Sequence, residues 1–229
     1  MRLRRLSFLP LQRKRNFPHR NVCGAAEGRA ACYILIHMEA HPAHAHPLHA
    51  TSGFAHPARN VLQLRLTPGM SVADFGAGSG AYVWPIAQAL GTSGNVYVID
   101  VQRDLLRRIH NEAMRRGYST VKIIWADLEQ HNATRLADQS LDLVLISNLL
   151  FQVPNKMAVL KEAHRILKKS GTLVVIDWSD SFGGMGPRKG DVVTKKAAGD
   201  FLLRSGFAPE EEFSAGAHHW GLAARPIHL

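Results

Sequence analysis

From residue 38 onward the chain contains no cysteine; Cys23 and Cys32 both lie within the first 37 residues. That absence excludes a disulfide, a thiolate zinc site and a cysteine nucleophile from the larger part of the protein. Two cysteines in 229 residues also fit a reducing, cytoplasmic setting. Long apolar runs are missing as well. The apolar stretches, such as residues 141–146 and 173–176, are strand-sized, far short of the roughly 18 residues of a membrane helix, so no membrane span is expected. Acidic residues are scarce at the start. Residues 1–37 hold eight Lys and Arg and one acid, Glu27, and so carry +7 of the net charge of +10. The remainder is close to balance, which weighs against a nucleic-acid partner for the domain.

Residues 1–37 show neither helical nor strand periodicity, and Pro10 and Pro18 interrupt them. No unbroken apolar segment follows the arginines, which argues against a secretory signal, whereas an arginine-rich, acid-poor start also fits an organellar transit peptide. The expected reading is a disordered basic extension, or a stretch upstream of a true start at Met38. Residues 38–56 form a histidine-rich arm with His41, His44, His46, His49 and His56. Such a tract binds Zn²⁺ or Ni²⁺ loosely at best, because alternation with alanine and proline builds no rigid tetrahedral site. No metal ligand is assigned.

A regular alternation begins at residue 57 and defines one domain over 57–229. Helices are expected over 58–66, 81–90, 103–116, around 133–137, over 156–167 and 195–204. Strands are expected over 71–75, 96–100, 121–125, 141–147, 172–177, 207–213 and 217–223. Gly117 and Gly206 read as helix-ending glycines, and Thr194 as an N-cap. Lys168 and Lys169 are expected to close the fifth helix, where the helix dipole favours cations. Alternating strands and helices with near-continuous apolar strands predict an α/β fold with a doubly wound, mostly parallel sheet.

The most specific segment is Val-Ala-Asp-Phe-Gly-Ala-Gly-Ser-Gly at residues 72–80. An apolar strand runs into a turn with Gly76, Gly78 and Gly80 at alternate positions, at the start of a helix. Glycine there permits a sharp turn and close approach of a ligand. The spacing Gly76-x-Gly78-x-x-Ala81 also satisfies the dinucleotide fingerprint, so an NAD(P)-dependent oxidoreductase stays open on this segment alone. Two carboxylates close the next strands: Asp100 after Val-Tyr-Val-Ile, and Asp127 after Trp125-Ala126. A helix or turn cap is the alternative role for each.

Together these segments resemble motif I and the strand-end acids of class I S-adenosylmethionine-dependent methyltransferases, over about residues 51–225. The pattern is similar to the small-molecule branch with the ubiquinone/menaquinone-biosynthesis and arsenite enzymes. The resemblance implies a Rossmann-like sheet of seven strands ending in an antiparallel hairpin, S-adenosylmethionine as cofactor and a small-molecule methyl acceptor. It implies that Asp74 orients the loop Phe75, Gly76, Ala77, Gly78 and Gly80 and approaches the methionine amino group. It assigns Asp100 to the ribose, Val101, Gln102, Ala126, Asp127 and Leu128 to the adenine, and Asn148 to the methyl-donor end. The family's base-amino methyltransferases carry Asn/Asp-Pro-Pro-aromatic where this chain has Asn148-Leu-Leu-Phe, which argues against that subclass. Arsenite methylation needs thiolates that the domain lacks. No catalytic base is assigned; His218 and His219 are expected on the last strand, and Phe54 and residues 183–189 are candidates to cover the pocket. An RNA methyltransferase and a non-catalytic S-adenosylmethionine- or metal-binding protein remain as further readings.

Overall fold

The computed structural model describes residues 55–184 and 186–227. The basic extension and the arm through residue 54, including Phe54, lie outside the described residues.

Seven strands form one sheet: β1 (Ser71–Phe75), β2 (Asn95–Asp100), β3 (Val121–Trp125), β4 (Leu141–Ser147), β5 (Leu167–Trp178), β6 (Phe207–Gly216) and β7 (His219–Pro226). Their order is β3-β2-β1-β4-β5-β7-β6. Strands β1 to β5 pair in parallel, whereas β7 runs antiparallel to both β5 and β6. This is the expected sheet with its terminal hairpin. Strand order reverses between β1 and β4, and the crevice beyond the strand ends at such a switch point is where open α/β sheets bind ligands.

The helices are α1 (Pro57–Gln63), α2 (Val83–Leu90), α3 (Arg103–Arg116), α4 (Lys156–Ile166) and α5 (Lys195–Arg204). Alternation along β4 shows why both sheet faces are covered. Leu143 and Leu145 pack with Ile86 of α2 and Ile109 of α3, while Val144 and Ile146 pack with Leu160 of α4 and Leu202 of α5. All eight are essentially inaccessible to solvent. Gly117 ends α3 in the left-handed conformation, and the Thr194 hydroxyl caps α5 by accepting the Ala197 N–H.

Several boundaries depart from expectation for local reasons. Helix α1 stops early because Arg65 takes φ +52°. Helix α2 starts at Val83, not residue 81, since Gly80 sits at φ +81° and Pro85 is tolerated only in a first turn. Strand β5 begins directly after α4. Lys168 is therefore not a helix-end cation; its ammonium lies 2.6 Å from Asp142 on the neighbouring strand. The final turn comprises residues 217–218, so β6 runs on to Gly216 and His218 precedes β7.

The largest departure is the expected helix around residues 133–137, which does not form. Asn132 and Arg135 have φ +52° and +54°, which no right-handed helix accommodates. The backbone instead folds onto α4. The Glu162 carboxylate accepts the Thr134 N–H (3.0 Å) and hydroxyl (2.6 Å), and Arg165 donates to the Leu136 carbonyl (2.7 Å).

Candidate functional site

The glycine turn leaves β1 and is tied to β2 by two backbone hydrogen bonds. The Gly76 and Ala77 N–H groups both donate to the Ile99 carbonyl, at 2.9 and 3.1 Å. Asp100, buried at the end of β2, completes the bracket. Its Oδ2 accepts the Gly78 N–H and its Oδ1 the Gln102 N–H, each at 2.8 Å. Each carboxylate oxygen has a second lone pair, so Asp100 can still accept from two ligand hydroxyls.

These groups open onto a cleft of about 390 Å³. Gly76 and Gly78 form its floor, Asp100, Val101 and Gln102 one side, and Ala126, Asp127 and Leu128 the other. All eight were expected from the sequence. The remaining wall was not: Leu149, Gln152 and Val153, from the turn after β4, together with Glu129. The one sequence signal for it is the apolar run continuing past the end of β4. Glu129 fixes that wall by accepting the Asn155 N–H at 2.5 Å.

Five expected residues do not line the cleft. Phe75 is fully buried beneath it in the core on the α4 side, and Ala77 packs on the opposite face. Gly80 also has a packing role. A Cβ there would come within 3.0 Å of the Ile109 side chain, so glycine lets the turn seat against α3. Gly80→Ala should lower folding stability by about 1–2 kcal/mol and leave ligand affinity nearly unchanged, as denaturant unfolding and calorimetry will test. Gly76, by contrast, has the Leu149 side chain over its Cα; a Cβ would meet Leu149 at 2.8 Å.

The other two absentees are Asp74, which is buried, and Asn148, which is half-buried with its side-chain oxygen enclosed. Asp74 Oδ2 and Asn148 Oδ1 have no hydrogen-bond partner among the described residues. Burial, reinforced by the nearby Asp100 charge, pushes the Asp74 carboxyl up to about 7. Asn148 takes φ +52°, a conformation asparagine tolerates better than most residues, and its N–H donates to the Ile176 carbonyl at 2.8 Å. Tyr82, absent from the sequence reading, sits in the same layer. Its hydroxyl accepts from Asn60 of α1 at 2.9 Å, and burial raises its ionisation above the ordinary value, against hydrogen bonds from Asn60 and Ser147.

Asp127 is exposed and caps its own turn, accepting the Glu129 N–H (3.0 Å) and the Gln130 amide (3.1 Å). It therefore borders the cleft while holding the turn that shapes it. Beyond it, the Arg103 guanidinium lies 3.7 Å from the Trp125 ring centre, and the Trp125 indole donates to the Val101 carbonyl at 3.0 Å.

His218 and His219 have different environments. His219, at the start of β7, is buried against Trp178 with ring centres 4.3 Å apart, and burial pushes it down to about 4, so it stays neutral. His218 lies at the end of the sheet, with Nδ1 at 2.9 and 3.0 Å from the two Asp180 oxygens. Gly186 of the following loop seats against Trp178, where a Cβ would come within 2.7 Å of the indole.

Residues 66–198, more than half of the chain, match the methyltransferase-domain family profile. Over 117 residues the sequence is 35% identical to an arsenite methyltransferase of Aquipseudomonas alcaligenes, covering 49% of this chain and 34% of that protein. It is 31% identical over 117 residues to a demethylmenaquinone methyltransferase of Geobacillus stearothermophilus, covering 51% and 49%. The chain thus spans half or less of the length of these curated relatives. The crystal structure of a SAM-dependent methyltransferase from Aquifex aeolicus superposes with a TM-score of 0.69 over 76% of this chain and 90% of that one. At 23% identity this likeness establishes the fold.

Proposed function

The chain belongs to the methyltransferase-domain family, and on that premise we propose that it moves a methyl group from S-adenosylmethionine to a small-molecule acceptor. The observation that carries the cofactor assignment is the bracketed carboxylate. Asp100 stands at the cleft edge, already oriented by the Gly78 and Gln102 N–H groups, with lone pairs left for a vicinal diol such as a ribose. The cleft volume suits a nucleoside-sized ligand, and the unpartnered Asp74 and Asn148 oxygens suit a polar, cationic tail.

In this assignment Asp100 holds the ribose. Val101, Gln102, Ala126, Asp127 and Leu128 border the adenine, with the unforeseen Leu149 and Val153 closing the opposite side. Asp74, Gly76 and Asn148 serve the methionine end. When bound, S-adenosylmethionine supplies a sulfonium-activated methyl group open to in-line displacement. The protein's contribution is alignment of donor and acceptor with exclusion of water, a proximity effect worth several kcal/mol. Of the acceptors named for the two relatives, arsenite suits this chain poorly, because no cysteine follows residue 32. A hydroxylated ring like that of a reduced demethylmenaquinone is the better reading.

Calorimetric titration with S-adenosylmethionine, S-adenosylhomocysteine and NADH tests the cofactor. Micromolar binding of the two sulfur nucleotides and none of NADH is expected; the reverse pattern would overturn the proposal. Asp100→Ala should weaken S-adenosylmethionine by about 1.5–3 kcal/mol, the scale of hydrogen bonds to a charged group. Its melting temperature should fall by a few degrees, since the Gly78 and Gln102 N–H groups lose their acceptor while the Gly76 and Ala77 hydrogen bonds to Ile99 remain.

A further inference from the structure

We infer that the outer edge of β3 is a docking groove for an acidic extended peptide, which joins the sheet there as an added strand. The inference rests on the fold and is independent of the methyl-transfer reading.

β3 stands at one end of the sheet and pairs only with β2 among the described residues. The Val96 N–H donates to the Thr120 carbonyl at 3.0 Å, and the Ala126 N–H to the Asp100 carbonyl at 3.1 Å. Facing alternates along a strand, so Lys122 and Ile124 also turn their backbone groups to β2. Ile123 and Trp125 turn theirs outward, and neither residue's N–H or C=O is bonded within the described residues. Such a row is a template for another strand.

The opposite edge is guarded, and β3 is not. β6 contains Pro209, shifts register at Pro209/Glu211 and again at Ser214/Gly216, and pairs Glu210, Glu211 and Glu212 with Arg225, Arg65 and Lys195. Proline, bulges and charge are the devices that block edge pairing. β3 has neither a proline nor a register shift. Its one charged residue, Lys122, is drawn back onto the Ser119 carbonyl at 2.9 Å. Trp125 stands 56% exposed.

A cavity flanks this edge on each face. Toward α3, one of about 380 Å³ is lined by Arg103, Leu106, Arg107, His110, Ile123 and Trp125. On the other face, one of about 500 Å³ lies between Ile124 and the turn residues Gln130, Asn132 and Ala133. Successive side chains of an added strand point to alternate faces, and so enter the two cavities in turn.

Charge selects the occupant. The lining toward α3 holds two arginines and a histidine and no acid. Arg103 rests on the Trp125 ring, and Arg107 reaches Asp104 at 3.1 Å in an exposed pair that a further carboxylate can join. Glutamate suits this cavity, with its methylenes against Leu106 and Ile123 and its carboxylate at the guanidinium groups. A second copy paired edge to edge in antiparallel fashion brings two α3 helices, and their arginines, together on one face, which like charge opposes. Residues 1–37 of the chain are basic as well. A nucleic-acid strand shares the charge preference but has no peptide ladder to match the outward N–H and C=O groups.

The test titrates the full chain with a capped peptide of about seven residues, Thr and Glu in alternation, and follows amide hydrogen exchange by NMR. Exchange at the Ile123 and Trp125 amides should slow, while Lys122 and Ile124, already bonded to β2, stay unchanged. Added salt should weaken binding. Arg103→Glu with Arg107→Glu should weaken this peptide about tenfold or more and bind the Thr-Lys counterpart in its place. Methylating the peptide's backbone nitrogens at the Glu positions alone, or at the Thr positions alone, should abolish binding in one case only, because one set faces β3. Exchange at Ile123 and Trp125 that is unmoved at about 1 mM peptide, binding indifferent to the charge reversal, or both methylated peptides binding alike overturns the inference. So does protection of the two amides by oligothymidylate in the peptide's place, or by self-association of the chain in sedimentation.

Discussion

Arg165→Ala should cost about 3–5 kcal/mol of folding stability, the range for a buried carboxylate stripped of its partner. The partner is Glu162, whose side chain is only 3% exposed. Arg165 donates to both Glu162 oxygens, at 3.0 and 2.7 Å, and to Asp138 at 2.5 Å. Burial pushes the Glu162 carboxyl up, but the guanidinium and two hydrogen bonds from Thr134 outweigh it and hold it below the ordinary value. A depressed folded-state carboxyl stabilises above its unfolded titration and loses that contribution as pH falls through its folded value. The loss in the variant should therefore shrink in acid. The double variant Glu162→Leu with Arg165→Met should lose far less than the single one, because no charge is left buried alone. Urea unfolding of the three proteins at pH 7 and pH 4 decides this. A small single-variant loss would mean that the cluster does not hold residues 133–140 in place.

Asp74→Asn should act in the opposite sense. The Asp74 carboxyl is raised from 3.8 to about 7, chiefly by burial. Between those values the folded chain holds a proton that the unfolded chain has lost, so this group's contribution becomes less favourable as pH rises. The full effect, on the order of 4 kcal/mol, is present above about pH 7. Asparagine keeps the shape and cannot ionise. Without cofactor the variant should match the parent near pH 4 and gain stability over it toward pH 8. Comparing the two proteins at one pH cancels the titrations of Asp177 and His219, which they share. A gain that does not grow with pH would refute the buried-acid account. Cofactor binding should show the complementary signature. A cationic amino group beside Asp74 favours the carboxylate, so affinity should climb through about pH 7 in the parent and be lower and flat in the variant. Calorimetry at pH 6 and 8 measures that slope.

The contrast between these carboxylates shows what a one-dimensional pattern carries. Strand-end acids at Asp100 and Asp127, the glycine turn and the terminal hairpin were legible, because strand periodicity fixes which residue comes last and which faces the crevice. The segment after β3 was not. It reads as a short helix around residues 133–137, whereas its conformation is set by Glu162 and Arg165, about thirty positions away and visible only once α4 is in place. Gly80 could be identified but not explained, since its neighbour Ile109 comes from another helix. The cleft wall at Leu149, Gln152 and Val153 escaped for a related reason, as side-chain direction in an irregular turn follows no period. His218 and His219 differ by one position, yet one is buried and neutral and the other is held by Asp180 at the open sheet end.

The switch in sheet direction at β7 has a consequence for how such a protein diversifies. Every residue lining the cleft at the glycine turn falls between positions 76 and 153, while the loop after β5 and the terminal hairpin come later in the chain. On the proposed assignment one contiguous stretch serves the methyl donor and leaves the later loop and hairpin free to serve the acceptor. Drift, insertion or grafting in the loop after β5 and in the hairpin can rewrite which molecule is modified while the donor-reading half passes unchanged from ancestor to descendant.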